Sequence, residues 1–378
     1  VKYYLIAGEA SGDLHASNLI QALSKIDPQA SFRAMGGDLM EARGATLDFH
    51  FKSISFMGFF EVLTHLFTIK KRFNACKAAI QSFRPDALIL IDFSGFNLRM
   101  AQWAKRAGFQ VHYYIAPQVW ASRPKRIETI KESVDHLYVT LPFEPDFYAK
   151  HHYKVHFVGH PLLDALPTDS GPTDSFHAAH GLDDRHILAL LPGSRTQEIR
   201  RMLPAMLAAT SSFTNYQVLI AGAPGHDIST YEPFIDSNST VLFGVTQSMV
   251  RAAHMALVTS GTATLETALL KTPQVVCYKT SPLTYALAKR LVKLNYISLV
   301  NLILDKPCVT ELIQEACTPN QIALALQRLE EASYRAQMLE QYALLEKMLG
   351  QKGASERAAK GIYENTLFAH QQATGLSR

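Results

Sequence analysis

The sequence predicts an α/β protein built from two doubly wound parallel sheets. Three observations carry that prediction. Short apolar runs alternate with longer stretches of helical spacing, and this rhythm occurs twice. The runs are apolar throughout rather than alternating, as expected of strands covered by helices on both faces. Several of them stop at glycine-containing turns that open a helix, the layout of a βαβ unit. A length of 378 residues suits two domains of roughly 150 residues each with a tail. The expected boundaries are 1–165 for the first domain and 166–345 for the second. A helical tail, 346–378, is expected to cross back to the first.

In order, Lys2–Ala7 reads as a strand and Leu14–Ile26 as a helix with one apolar face. Phe32–Met35 is a strand ending at Gly36-Gly37. Ala87–Ile91 is the most apolar run of this block, followed by Val111–Ile115, His136–Leu141 and Val155–Val158. Pro167-Thr168-Asp169-Ser170-Gly171-Pro172 has linker composition. The second block holds strands at Ile187–Leu191, Gln217–Ala221, Thr240–Phe243, Met255–Thr259 and Gln274–Tyr278, and helices follow from Pro319 with a break at Gly350–Gly353. In such sheets ligands bind at the carboxyl ends of the strands, here in a cleft between the blocks.

Composition excludes several classes. Hydrophobic content of 48% and charged content of 19% describe a globular chain with a sizeable core. There is no run of roughly 18 uncharged apolar residues that would span a bilayer. Val1–Gly8 enters a strand without a signal-peptide layout, so a cytosolic location is expected. Cys76, Cys277, Cys308 and Cys317 have neither zinc-site nor disulfide-framework spacing. His15, His112 and His160 likewise lack metal-ligand spacing, so neither metal nor cofactor is expected. A net charge of +4 is compatible with an anionic ligand or an anionic membrane surface.

Five stretches carry chemistry. Gly8-Glu9-Ala10-Ser11-Gly12-Asp13 follows the first strand: small residues allow a close backbone approach beside two carboxylates, or Asp13 simply serves a helix N-terminus. Asp92 ends the strand Ala87–Ile91, where partial desolvation would raise its pKa toward general-base use; a cap or loop ion pair is the alternative. Pro192-Gly193-Ser194-Arg195-Thr196-Gln197-Glu198 is a strand-to-helix turn whose free N–H groups suit an anion, with Arg195 able to fork onto a phosphate. Ser260-Gly261-Thr262-Ala263-Thr264-Leu265-Glu266 repeats that turn, and Glu266 can accept from a ribose diol. The Pro192–Glu198 turn is neither a Walker loop nor a dinucleotide fingerprint. Ile54–Phe73 is rich in Phe and Leu and ends in Lys70-Lys71-Arg72, either core or a lipid-facing surface.

Taken together these stretches resemble the lipid-A-disaccharide synthases, glycosyltransferases of the two-Rossmann (GT-B) architecture in family 19. The matching segments run in family order over nearly the whole chain. They are Gly8–Asp13, Met57-Gly58-Phe59 with Glu61, Asp92 with Gly95-Phe96-Asn97, Ala116–Ala121, Leu141–Glu144, Val158–Pro161, Leu191–Arg195 with Glu198, Ser260–Glu266, and Ala288–Lys293 with Asn301. Ser94, Ser122 and Val300 depart from the pattern, where proline, tryptophan and proline are usual.

The resemblance implies an inverting transfer of 2,3-diacylglucosamine from its UDP derivative to the 6-hydroxyl of 2,3-diacylglucosamine 1-phosphate (lipid X). The products are the β-1′,6-linked disaccharide 1-phosphate of lipid A biosynthesis and UDP. It implies Asp92 as base, with Glu9 and Asp13 next, and Arg195 stabilising the leaving UDP. Gly8, Ser11, Gly12, Asn97, Gly193, Ser194, Glu198, Ser260, Gly261, Thr262, Glu266, Arg290 and Asn301 would bind substrate. Phe56, Met57, Phe59, Phe60, Leu63, Leu66 and Phe67 would contact lipid. No nucleic acid is implied, and the chain is expected as a monomer or homodimer, peripherally attached to the cytoplasmic face of the inner membrane. The rival readings are an isomerase similar to UDP-N-acetylglucosamine 2-epimerase and a non-catalytic sugar-nucleotide sensor.

Overall fold

A computed structural model describes residues 1–53, 66–122, 126–166, 173–281, 285 and 295–374. The chain forms two compact units: Val1–Asp164 with Leu349–Arg378, and Ala165–Met348. The linker-like stretch Pro167–Pro172 lies outside the described residues.

Unit 1 holds seven strands: β1 (Lys2–Ala7), β2 (Ser31–Gly36), β3 (Thr46–His50), β4 (Ala87–Ile91), β5 (Val111–Tyr114), β6 (His136–Val139) and β7 (His156–Phe157). Their order is β3-β2-β1-β4-β5-β6-β7, and every pairing is parallel. Unit 2 holds β8 (His186–Leu191), β9 (Tyr216–Gly222), β10 (Ser239–Phe243), β11 (Met255–Thr259), β12 (Gln274–Tyr278) and β13 (Thr310–Ile313). They are again parallel, in the order β10-β9-β8-β11-β12-β13. Both sheets thus reverse direction at the first strand laid down. The crossovers leaving β1 and β4 depart to opposite sides, as do those leaving β8 and β11, which opens a crevice at the carboxyl ends of each pair.

The apolar runs are the reason. Leu5, Ile6, Leu88, Ile89, Leu90 and Ile91 are fully buried. Alternate side chains along β1 and β4 feed two separate cores, one per face. The expected strands all appear, with ends moved by one or two residues. Two further strands, β3 and β13, occupy sheet edges. Their mixed sequences, Thr-Leu-Asp-Phe-His and Thr-Glu-Leu-Ile, lack the apolar continuity that marks a central strand.

The last helix, Ala354–Thr374, packs in unit 1 against the helix Ala10–Ile26. Asp164 caps its start, accepting from the N–H groups of Gly353 (2.6 Å) and Ser355 (3.1 Å). Arg357 Nε donates to the Val158 carbonyl at 2.8 Å. Among the described residues no helix is long and apolar enough to cross a membrane. The four cysteines are buried free thiols.

Candidate active site

The predicted stretches fall on the two switch points. In unit 1, β1 runs into Gly8-Glu9 and its neighbour β4 into Asp92. Asp92 and Phe93 both take left-handed backbone angles, φ +46° each, a costly conformation for residues other than glycine. Asn97, wholly buried, holds this turn: its Nδ2 lies 3.1 Å from the Ile91 carbonyl and 2.9 Å from that of Asp92. The Tyr113 hydroxyl donates to the same Asp92 carbonyl at 2.6 Å. Gly8 is required because a Cβ there would lie 2.3 Å from the Phe93 ring. Gly12 lets the first turn of its helix close on Ala7, whose Cβ would be 3.3 Å from an added Cβ.

The strained turn leaves the Asp92 carboxyl mostly buried beside Glu9. Burial raises its pKa, the Glu9 charge adds to this, and the Phe93 N–H opposes it; the result is about 6. Glu9 is the N-terminal flanking residue of the helix Ala10–Ile26 and is half-buried, and Ser11 is exposed in its first turn.

Two expectations in unit 1 need correction. Asp13 is not an available base. It is buried, and its carboxylate accepts from Gly37 N (2.9 Å), Leu39 N (3.1 Å) and Met40 N (3.1 Å). These are the orphan donors at the start of the helix Asp38–Ala42. Asn97 does not present itself as a substrate ligand, because its exposure is 0% and its Nδ2 is turned onto the backbone carbonyls of Ile91 and Asp92.

In unit 2, β8 leads into Gly193 and its neighbour β11 into Ser260-Gly261. Gly193 adopts φ +112°, and a Cβ there would meet Glu198 at 2.6 Å. Glu198 folds back over the start of the helix Thr196–Thr210. Its Oε2 accepts from Ser194 N (3.1 Å) and Arg195 N (3.4 Å), and Oε1 lies 3.5 Å from Arg195 Nη1. This corrects a second kind of expectation: the donors assigned to a phosphate here already hold a carboxylate of the chain. Arg195 itself remains 57% exposed.

The helix Thr262–Leu269 is different. Its start has no side-chain cap, and Gly261 and Thr262 are exposed. A Cβ on Gly261 would meet nothing within 4 Å, so the backbone at this turn is open to close approach. Ser260 is anchored, its hydroxyl donating to the Ile297 carbonyl at 3.0 Å. One turn into the helix, Glu266 accepts from Gln247 Nε2 at 2.7 Å, and burial raises its pKa. Gln247, on the helix after β10, gave no sequence signal, since a lone glutamine carries none.

Asn301 is a further correction. It is 1% exposed, and its Oδ1 accepts from Cys308 N (2.8 Å) and Val309 N (2.9 Å). Its Nδ2 donates to the Val309 carbonyl and to Glu311 Oε1, both at 2.9 Å. A side chain so saturated shapes the loop and has nothing left for substrate. Glu311 also accepts from Ile297 N at 2.9 Å, so this network holds the segment on which Ser260 is anchored. Arg290 lies outside the described residues, as do Phe56, Met57, Phe59, Phe60 and Leu63. Leu66 and Phe67 lie in the helix Leu66–Phe83, but their side chains are not described. Among the described residues, no group of three or more His, Cys, Asp or Glu is placed to hold a metal ion.

Known structures share this architecture. A Staphylococcus aureus protein solved with UDP superposes with a TM-score of 0.67 at 11% identity, covering 97% of each chain. A calicheamicin glycosyltransferase gives 0.60 at 17% identity, covering 97% of this chain and 98% of its own. A UDP-GlcNAc 2-epimerase from Neisseria meningitidis gives 0.64 at 13% identity, covering 97% and 100%. The two sheets with their paired switch points define the GT-B class, a fold shared by transferases and epimerases, and at these identities the likeness speaks for the fold alone.

Sequence separates them. A family model described as lipid-A-disaccharide synthetase matches residues 3–362. A lipid-A-disaccharide synthase of Coxiella burnetii is 37% identical over 371 residues, 97% of this chain and 98% of the relative. One of Trichlorobacter lovleyi is 39% identical over 364 residues, 94% and 95%. The chain belongs to the lipid-A-disaccharide synthase family, and it is a glycosyltransferase of lipid A biosynthesis. The epimerase reading is not favoured.

Proposed function

We propose that unit 1 activates the acceptor and unit 2 receives the leaving UDP. The 6-hydroxyl oxygen of 2,3-diacylglucosamine 1-phosphate attacks C1 of the sugar in UDP-2,3-diacylglucosamine. A new C1–O bond forms as the bond from C1 to the β-phosphate oxygen breaks, with inversion, and the hydroxyl proton passes to Asp92. The observation that carries this reading is the Asp92 carboxyl, raised to about 6 by burial and Glu9 at the end of β4. A base with that pKa is ionised at neutral pH yet holds a proton better than a solvated carboxylate.

UDP departs with charge growing on its β-phosphate. The uncapped start of the helix Thr262–Leu269 offers N–H groups and the positive end of the helix dipole. The exposed Arg195 extends from the adjacent strand end to share that charge. Glu266, oriented by Gln247, accepts from the ribose hydroxyls. Glu198 serves by fixing the Gly193 turn rather than by touching phosphate.

Both substrates carry acyl chains. The Phe- and Leu-rich stretch Ile54–Phe73, with exposed Lys70 and Lys71 at its end, supports lipid contact and peripheral attachment to an anionic membrane face. The test is to incubate the protein with both substrates in detergent and EDTA and to follow products by mass spectrometry. Disaccharide 1-phosphate with stoichiometric UDP is the expected result. Unchanged substrates, or turnover that EDTA abolishes, would overturn the substrate assignment or the metal-independent leaving-group step respectively.

A further inference from the structure

Asp92 is not the only group that the sheet of unit 1 presents at its carboxyl edge. The next strand, β5, leaves the sheet through Ile115 at φ +62°. A β-branched residue there is a genuine backbone outlier, and such strain persists where the surrounding structure enforces it. The chain then runs through Ala116–Gln118 into a short helical turn, Val119–Ser122, which carries Trp120. The strand after that, β6, ends just before Leu141–Glu144.

Trp120 and Glu144 meet. The indole Nε1–H donates to Glu144 Oε1 at 3.3 Å. Glu144 Oε2 accepts from Thr140 N (3.0 Å) and Leu141 N (2.9 Å). The Phe143 ring meets the indole edge-on, centroids 5.0 Å apart at 90°. Glu144 is 2% exposed, whereas Trp120 is only half-buried. Burying a carboxyl is costly, and burial pushes this one up to about 7. The chain accepts that cost to fix the plane of a ring that stays partly exposed.

We propose that Trp120 is the platform on which the acceptor's pyranose ring stacks, and that Glu144 is the positioning residue that sets the indole plane. This rests on the reading of Asp92 as the acceptor's base. A base must lie within hydrogen-bond reach of the hydroxyl it deprotonates, so the acceptor ring belongs at this edge of this sheet. Trp120 follows the strand adjacent to that of Asp92, and Tyr113 ties the two by its hydrogen bond to the Asp92 carbonyl. A fixed indole offers a flat apolar face to the C–H face of a sugar at little entropic cost.

Steady-state kinetics on the full chain, varying each substrate separately, tests this. Trp120→Ala is expected to raise the acceptor KM about tenfold, the scale of one lost stacking contact, with the donor KM within about twofold. Trp120→Phe is expected to recover most of the loss, and Glu144→Gln to cost the acceptor KM a few-fold. A second measurement uses fluorescence, since the chain has two tryptophans and Trp103 lies on the helix Ser94–Arg106 against Phe109. Lipid X is expected to change the emission of the wild type and not of Trp120→Phe. An acceptor KM unmoved in Trp120→Ala, an equal rise in both KM values, or an acceptor-dependent signal that persists in Trp120→Phe would overturn the platform. A wild-type chain that makes no disaccharide would instead overturn the functional reading, and the platform with it.

Discussion

The two units solve the same topological problem with opposite chemistry. At the switch point of unit 1 the turn is built from non-glycine residues in left-handed conformation, Asp92 and Phe93, and it presents a partly buried acid beside a second acid. At the switch point of unit 2 the corresponding turns hold Gly193, whose following N–H groups are taken by Glu198, and Gly261, which opens a helix start with no side-chain cap. A strained acidic turn cannot welcome a phosphate, and an uncapped helix start cannot take a proton. On the proposed reading, one repeated fold is divided between proton transfer and anion binding by the residues that follow its strands.

The sharpest way to break that division is Asp92→Asn. If unit 1 alone supplies the base, kcat falls by about a thousandfold, within the range for a lost general base, while UDP affinity is unchanged. The same variant carries a stability signature. The folded-state pKa of about 6 lies above the ordinary 3.8, so the folded protein resists ionisation. That penalty, at most about 3 kcal/mol, is fully present above pH 6 and disappears as pH falls through 6 toward 3.8. Asp92→Asn therefore raises the melting temperature at pH 8 and leaves it near the wild-type value at pH 4. Lower stability at both pH values would show that the carboxylate is a structural ligand.

Arg195→Ala tests the other half. It is expected to cost about a hundredfold in kcat, as removal of a transition-state charge partner does, and to weaken competitive inhibition by UDP. Exposure of 57% means that the fold should not register the change. An equal loss of melting temperature would make Arg195 a helix-start residue and leave the Gly261 turn to act alone.

Asp13→Ala asks whether proximity to Glu9 in sequence means proximity in role. Three backbone N–H groups would lose their acceptor, at a cost of about 2 kcal/mol in stability. The kcat of the folded fraction should stay within about twofold. A thousandfold fall there would restore Asp13 as a base.

The fold and the strand-end positions were legible because apolar continuity and glycine turns are local signals. Asp92 was legible because a carboxylate directly after Ala87–Ile91 has nowhere to go but the sheet's edge. Asp13 and Asn301 were misread for one reason. Each saturates donors or acceptors on elements whose positions only the assembled fold reveals, such as the helix Asp38–Ala42 about 25 residues beyond Asp13. The Trp120–Glu144 bond spans 24 residues and joins two segments that the sequence offered as separate. Glu198 was legible as a first-turn acid, but not as the occupant of the donors it follows.

The smallest effect sharpens the comparison most. Glu9→Gln removes the like charge beside Asp92 but leaves the burial that contributes more to its raised pKa. Less repulsion makes the Asp92 carboxylate easier to form, so the acid limb of the kcat/KM profile moves down from about pH 6 by a fraction of a unit. Relative to its own plateau, the variant is then more active than wild type at pH 5.5. The size of the movement measures how much the Glu9 charge contributes beside burial to the raised Asp92 pKa. A limb that fell to about pH 4 would make Glu9, not burial, the source of the raised pKa. A collapsed plateau with an unmoved limb would exchange their roles, placing the base after β1 and leaving Asp92 as its electrostatic neighbour.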